Sequence, residues 1–182
     1  MRIVRAAAMP EGRWRNGMGV SWDIAAEPPE AGADDFGWRF AVAQIDGDVP
    51  FSHYANVDRV FTLIAGKGLV LTVAGLGELD VSRVLEPVRF PGDAETFCRV
   101  KDGSCRALNL FLGRGRWTAE VAVEPGETMV DHAGPVLLFA PEGPVMCNGQ
   151  RLETGDAAVA RGALVIDSGP ARHYRALLTA SA

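Results

Sequence analysis

Lysine is nearly absent from this sequence, and acidic residues outnumber basic ones. The 182 residues carry 18 Lys and Arg against 23 Asp and Glu, a formal net charge of −5, and Lys67 and Lys101 are the only lysines. With a pI near 5.2 and no basic run, the chain lacks the positive stripe that displaces counterions from phosphate. We therefore expect no nucleic-acid partner.

Long apolar runs and paired cysteines are also missing. No apolar segment approaches the roughly 20 residues of a membrane helix, and the Pro, Glu and Arg within residues 10–13 interrupt the N-terminal segment before a signal-peptide core forms. The three cysteines include no CxxC pair, which argues against a disulfide framework. These absences predict a cytoplasmic protein with reduced thiols and no membrane partner.

Signals for helix are few, whereas signals for short strands and turns are many. The 21 Gly and 11 Pro divide the apolar sequence into short pieces rich in Val, Leu and Phe, as in sandwiches and barrels. The pairs Asp102-Gly103 and Asn148-Gly149 suit the positive φ angles of type I′ hairpins. Strands are predicted at 38–45, 57–64, 69–73, 94–100, 106–112, 117–123, 135–139, 145–147, 157–160, 163–166 and 173–178. Residues 12–29 are predicted to be one extended entry strand, and 124–134 a connection between two halves.

A weak internal repeat suggests two similar units. Residues 85–93 and 148–160 each contain a Gly-Asp turn beside apolar, strand-like sequence. This pattern is typical of a cupin barrel. We expect an all-β bicupin, with two fused antiparallel cupin-like β-barrels. Residues 1–120 would form the N-terminal segment and first barrel, and residues 121–182 the second, packed as one unit.

Residues that could support metal or nucleophilic chemistry are sparse. A typical cupin metal site uses an H-x-H pair, a Glu and a third His, yet His53, His132 and His173 are far apart and have no neighbour at ligand spacing. No Gly-x-Ser-x-Gly motif occurs, and no cysteine adjoins a histidine. The sequence predicts no metal and no cofactor, and it assigns no catalytic residue.

Short polar clusters beside aromatic or glycine residues are more informative. In the predicted strand 38–45 the two-residue period puts Arg39, Ala41 and Ala43 on one face. Because alanine is small, this arrangement leaves space beside the guanidinium group of Arg39. Arg59 opens an apolar strand after Asp58, which could orient or neutralise it. Asn109 is the only polar side chain in residues 107–112 and needs partners if buried. The alternatives are a solvent-facing Arg39 and an Asn109 bound only to backbone.

Together these clusters predict a pocket for a small carboxylate, because guanidinium forks and free amides suit that group. Arg39 and Arg59 are the predicted anchors, and Asn109 the orienting donor. The rim is predicted to contain Arg15, Asn16 and Ser52.

The same clusters resemble the HutD/Ves family, bicupin proteins encoded beside bacterial histidine-utilisation genes or described as stress-related. The matching elements run in family order from residue 14 to about 116: residues 14–19 (WRNGMG), 38–39 (WR) with Ala43, 51–52 (FS), 58–59 (DR) followed by 63–68 (LIAGKG), 90–93 (FPGD), and 108–109 (LN) with Arg114. The second half matches only in general cupin character.

The resemblance implies a metal-poor bicupin without established catalysis that binds a small acidic metabolite, such as formylglutamate or urocanate, and modulates histidine catabolism. Two departures bear on the ligand. Ala107 stands where the family usually has Asp, and residues 48–52 (DVPFS) replace its Gly-Pro-Phe-Ser turn.

Three functions follow from these observations. The first is a non-catalytic protein that binds a carboxylate metabolite and has a regulatory or accessory role in histidine utilisation. The second is a metal-independent cupin isomerase or lyase acting on a small acid, for which Asp58 and His53 are the nearby acid or base candidates. The third is a structural module that forms a homodimer through salt bridges of these arginines.

Overall fold

The computed structural model describes residues 1–32 and 35–181. Strands account for 64% of the chain, and among the described residues the helical structure is one short 3₁₀ turn, Ala6–Ala8. The expected all-β class is therefore confirmed. None of the helical structure described is long and apolar enough to cross a membrane.

Residue contacts divide the chain into two compact units, one continuous and one discontinuous. The continuous unit is Pro10–Arg116, and the discontinuous unit joins Met1–Met9 to Trp117–Ala182.

Two antiparallel sheets build the Pro10–Arg116 unit. The six-stranded sheet has the order β2-β3-β4-β11-β6-β9, with β2 Glu11–Arg13, β3 Val20–Glu27, β4 Trp38–Ile45, β11 Cys105–Gly113, β6 Val57–Ala65 and β9 Pro87–Pro91. The four-stranded sheet has the order β5-β10-β7-β8, with β5 Val49–Pro50, β10 Thr96–Val100, β7 Leu69–Val73 and β8 Gly77–Val81. A core that includes Ile45, Phe61, Leu63, Leu71 and Cys98 draws side chains from both sheets.

The turn at Asp102-Gly103 does not form the predicted hairpin. β10 pairs with β5 and β7, whereas β11 pairs with β4 and β6, so the chain passes from one sheet to the other at this turn. Cys98 is consequently opposite Leu71 of β7. Cys98 and Cys105 are nevertheless buried core residues with free thiols, and burial raises the pKa of Cys98 to about 12.

Residues 12–29 also differ from the prediction, because they form a hairpin and not one strand. β2 pairs with β3, and Gly17 adopts φ +71° in the turn between them. Glycine occupies this conformation without the steric cost that a Cβ would bring.

The second unit is one five-stranded sheet with two long strands. Its members are β1 Arg2–Val4, β15 Ala157–Ala180, β13 Val145–Cys147, β14 Gln150–Leu152 and β12 Trp117–Phe139, which pairs with β15. Phe139 pairs with both Ala157 and Tyr174, so the end of β12 lies between two parts of β15 and the sheet curls. The β13–β14 turn has the predicted type I′ character, with φ +46° at Asn148 and +73° at Gly149.

The predicted connection at 124–134 is wrong, because β12 runs through it. Register shifts near Pro125 and after His132 let the strand bend while its pairing with β15 continues. Val130 points into the core of this unit, and Asp131 is exposed. Proline and scattered acidic residues therefore occur here in a bent, half-exposed strand.

Candidate functional site

Strand register places small and polar residues side by side on one face of the six-stranded sheet. Ala41 of β4 is opposite Asp23 of β3 on one side and Asn109 of β11 on the other. In the next register row, Phe111 lies between Arg39 and Arg59. Because Ala41 has only a methyl group among larger neighbours, the sheet leaves a depression above it.

This depression is a cavity of about 200 Å³. Its lining includes five of the six residues that the sequence predicted for a ligand site, namely Arg15, Arg39, Ser52, Arg59 and Asn109. Asp23, Tyr54, Phe51 and Phe111 also line it. The structure thus brings these predicted residues to one place, while their binding role stays a prediction.

Arg59 is the most unusual group in this cavity. The residue is 6% exposed, and its Nη2 donates a 2.6 Å hydrogen bond to Oδ1 of buried Asn109. Its Cζ lies 4.8 Å from the ring centroid of Phe51 and 4.9 Å from those of Phe90 and Phe111. Burial lowers the pKa of Arg59 to about 10.

The charge on Arg59 has no counterion within the described part of the chain, and its buried Nε has no hydrogen-bond partner there. The prediction that Asp58 orients or neutralises it is wrong. Asp58 instead accepts a 2.9 Å hydrogen bond from Arg114, because adjacent residues of a strand point to opposite faces. The cation–π contacts stabilise the guanidinium without neutralising it.

Arg39 is in a different electrostatic state. Its Nε and Nη2 donate 2.8 Å hydrogen bonds to Oδ1 and Oδ2 of Asp23, a bidentate ion pair. The Arg39 side chain is 18% exposed, so the solvent-facing alternative is excluded. Sequence reasoning missed Asp23, although the alternation of Ser21 and Asp23 with Val20 and Trp22 in β3 was a usable signal.

The predicted rim residues mostly contact the protein itself. Asn16 Nδ2 donates to the Pro50 carbonyl over 2.7 Å, and its backbone N–H donates to Ser52 Oγ over 3.4 Å. Arg15 Nη1 donates to the His53 carbonyl over 3.2 Å. Asn16, which does not line the cavity, therefore holds the β2–β3 turn against residues 50–53.

The acid and base candidates named for the isomerase or lyase alternative, Asp58 and His53, are not among the lining residues. The described titratable groups there, besides arginine, are Asp23 and Tyr54. Ala107, where the family Asp is expected, is fully buried in the apolar core and does not line the cavity.

The histidines show no metal arrangement. Within residues 1–32 and 35–181, no three His, Cys, Asp or Glu side chains are grouped closely enough to hold a metal ion. His173 is fully buried, with Nδ1 2.9 Å from Ser168 Oγ and Nε2 3.9 Å from Glu124 Oε1. His132 Nε2 lies 2.8 Å from the Leu178 carbonyl. Absence of a metal stays a prediction.

Comparison with known proteins identifies the family of this chain. A 21.2 kDa protein in the hutC 3′ region of Pseudomonas putida is 33% identical over 144 residues, covering 77% of this chain and 73% of the relative. Protein Ves of Citrobacter koseri is 34% identical over 116 residues, covering 63% of this chain and 59% of the relative.

The structural comparison extends over the full chain. The structure of HutD from Pseudomonas fluorescens SBW25, described for a formate condition, superposes with a TM-score of 0.88 at 29% identity, covering 100% of this chain and 99% of that one. Two more distant solved structures, 7% and 14% identical to this chain, are cupin-like. At this level of identity they support the fold of the chain and nothing about its function. The HutD family model matches residues 6–175, and the chain belongs to the HutD family.

Proposed function

We propose that this protein is a cytoplasmic, non-catalytic bicupin that binds a small carboxylate metabolite, formylglutamate- or urocanate-like, in the Pro10–Arg116 unit. Its role would be regulatory or accessory in histidine utilisation, the process to which the names of the hutC-region relative and of HutD point. In this proposal the curled sheets belong to two cupin-like barrels.

The observation that supports the proposal most strongly is the isolated charge of Arg59. Taking a cation out of water costs several kcal/mol unless a partner compensates. Arg59 has one side-chain hydrogen bond, to Asn109, and three phenyl rings around it. A ligand carboxylate would supply the missing negative charge, and a guanidinium binds it in a bidentate manner.

Cavity size favours a small ligand. The cavity volume of about 200 Å³ lies below the roughly 300–1,000 Å³ of sites for drug-sized molecules. Among the described lining residues, four arginines (Arg13, Arg15, Arg39 and Arg59) outnumber the one carboxylate, Asp23.

Thermal unfolding with a panel of acids tests the proposal. Formate, N-formylglutamate, urocanate and glutamate would be added to the wild type, to Arg59→Met and to Arg83→Met. A ligand at about 100 times its Kd stabilises the folded state by about 2.7 kcal/mol. We expect such a shift for the wild type with at least one larger acid, and none for Arg59→Met.

Arg83 is the matched control because it is exposed, belongs to the same unit and is not a lining residue. Its replacement removes the same charge and should leave the ligand shift intact. The proposal is wrong if no acid stabilises the wild type, or if both variants respond as the wild type does.

A further inference from the structure

Asp23 is the single acidic side chain among the described residues that line the cavity. A carboxylate in a site that attracts anions lowers their affinity. The presence of Asp23 in this cavity therefore needs a structural or functional reason. Two tasks are open to it: holding Arg39 in place, and contacting the ligand.

The ion pair with Arg39 leaves hydrogen-bonding capacity on Asp23. A carboxylate offers about four lone-pair positions, and the two hydrogen bonds from Arg39 Nε and Nη2 use two of them. The Asp23 side chain remains 42% exposed. Its oxygens can therefore accept a further donor while the pair with Arg39 stays intact.

Asp23 also lies at a useful distance from Asn109, which holds the proposed anchor Arg59. Asp23, Ala41 and Asn109 form one register row across three neighbouring strands. Neighbouring strands are about 4.8 Å apart, so the Cα atoms of Asp23 and Asn109 are separated by about 10 Å. Only the methyl group of Ala41 stands between them, so a small molecule lying over Ala41 can contact both.

We infer that Asp23 is a specificity residue that accepts an N–H from the ligand, so that the site takes acids bearing an N–H donor in preference to N–H-free acids of the same shape. The inference rests on the proposed function, with the carboxylate of the ligand at Arg59.

Two isosteric pairs of acids test the inference on the wild type. Urocanate is compared with 3-(furan-2-yl)acrylate, and N-formylglutamate with O-formyl-2-hydroxyglutarate, in which oxygen replaces the N–H. A hydrogen bond to a charged group corresponds to an affinity difference of about 10- to 150-fold. Calorimetry should show that preference for the N–H member of at least one pair.

Asp23→Asn identifies the acceptor. Because Arg39 only donates, it holds the amide oxygen of the variant, and the NH₂ group then faces the ligand. We expect the preference to fall to within about threefold, mainly through weaker binding of the N–H acid. Asp93→Asn is the control, since Asp93 forms a similar bidentate pair with Arg114 away from the cavity lining and its loss should leave the preference unchanged.

The outcomes separate this inference from the proposed function. Equal affinity for both members of each pair, or a preference that survives in Asp23→Asn, would overturn the role of Asp23 while leaving carboxylate binding in place. Failure of all four acids to bind the wild type would overturn both. Because the wild-type comparison needs no variant, poor folding of Asp23→Asn would not remove the test.

Discussion

Arg59 and Asn109 are joined by a 2.6 Å hydrogen bond in which the guanidinium Nη2 donates to the amide oxygen Oδ1, and both side chains are buried. A neutral amide orients the cation and leaves its charge unneutralised. An aspartate of the same shape would neutralise it, so the choice of Asn at position 109 keeps Arg59 available to an anion.

The carboxylate introduced by Asn109→Asp should therefore compete with the ligand for Arg59. The new carboxylate lies at hydrogen-bond distance from Arg59, so we expect carboxylate binding to weaken by at least about 10-fold while the melting temperature is maintained or raised. Calorimetry with N-formylglutamate and a thermal melt measure the two effects. Asn148→Asp adds the same charge in the β13–β14 turn and should leave the affinity unchanged. Unchanged affinity in Asn109→Asp would contradict the role of Arg59.

Arg59→Met should remove binding without loss of stability. Replacing a buried charged group by an apolar side chain of similar volume is often neutral or stabilising, by up to about 4 kcal/mol. We expect denaturant unfolding to give a free energy equal to or above that of the wild type, despite the lost contacts with the phenyl rings. A marked drop in stability would indicate that Arg59 serves the fold.

Arg39 and Asp23 should show coupled effects on anion binding. Arg39→Ala exposes the Asp23 carboxylate to the ligand, and we expect affinity for the N–H-free probe furylacrylate to fall about 10-fold or more. The double variant Arg39→Ala/Asp23→Ala removes that repulsion and should regain most of the loss, as a double-mutant cycle would measure. If the double variant binds no better than Arg39→Ala, Arg39 contacts the anion directly.

Alkaline pH should weaken carboxylate binding through Arg59. Burial lowers its folded-state pKa from the ordinary value of an arginine to about 10. Between these two values the unfolded chain keeps the proton that the folded protein has lost, so Arg59 makes stability rise with pH in this window. Binding needs the charged form, and affinity should decline above about pH 10. Titrations from pH 8 to 11 test this, and a constant Kd over that range would contradict the lowered pKa of Arg59.

Buried His173 should make the discontinuous unit sensitive to acid. Its pKa is lowered by burial, with an opposing contribution from Glu124 and a further lowering by Arg175. A histidine with a lowered folded-state pKa reduces stability as pH falls below its ordinary value of 6.5, because the unfolded chain takes up the proton first. His173→Gln should flatten the change in unfolding free energy between pH 7.5 and 5.5, whereas His132→Gln should keep it. A profile in His173→Gln that remains as steep would identify another group.

Local patterns predicted the strands better than their partners. The ranges of β4, β7 and β13 agree with the predicted 38–45, 69–73 and 145–147, because apolar alternation and turn residues are local signals. The predicted hairpin pairing of β10 with β11 was wrong, because a tight turn can join two strands of one sheet or two strands of stacked sheets equally well. Burial of Cys98 and Cys105 in a shared core fits the second case.

Part of the candidate site was also within reach of the sequence. The two-residue period placed Arg39, Ala41 and Ala43 together, and the structure has all three on the cavity face. The ion pairs could not be predicted from the sequence, because they depend on strand order. β3 lies beside β4 and brings Asp23 to Arg39, whereas Asp58 contacts Arg114 on the opposite face of the sheet. The cage of Phe51, Phe90 and Phe111 around Arg59 likewise requires three segments that are distant in the chain.

The discontinuous unit has a consequence for synthesis of the protein. Strand β1 pairs with β15, so this unit cannot close until the ribosome has released β15. Every described lining residue of the cavity belongs instead to Pro10–Arg116, a segment that emerges without interruption. Since domains fold as units during translation, we expect this cavity to take shape on the nascent chain before β15 is synthesised and pairs with residues 2–4.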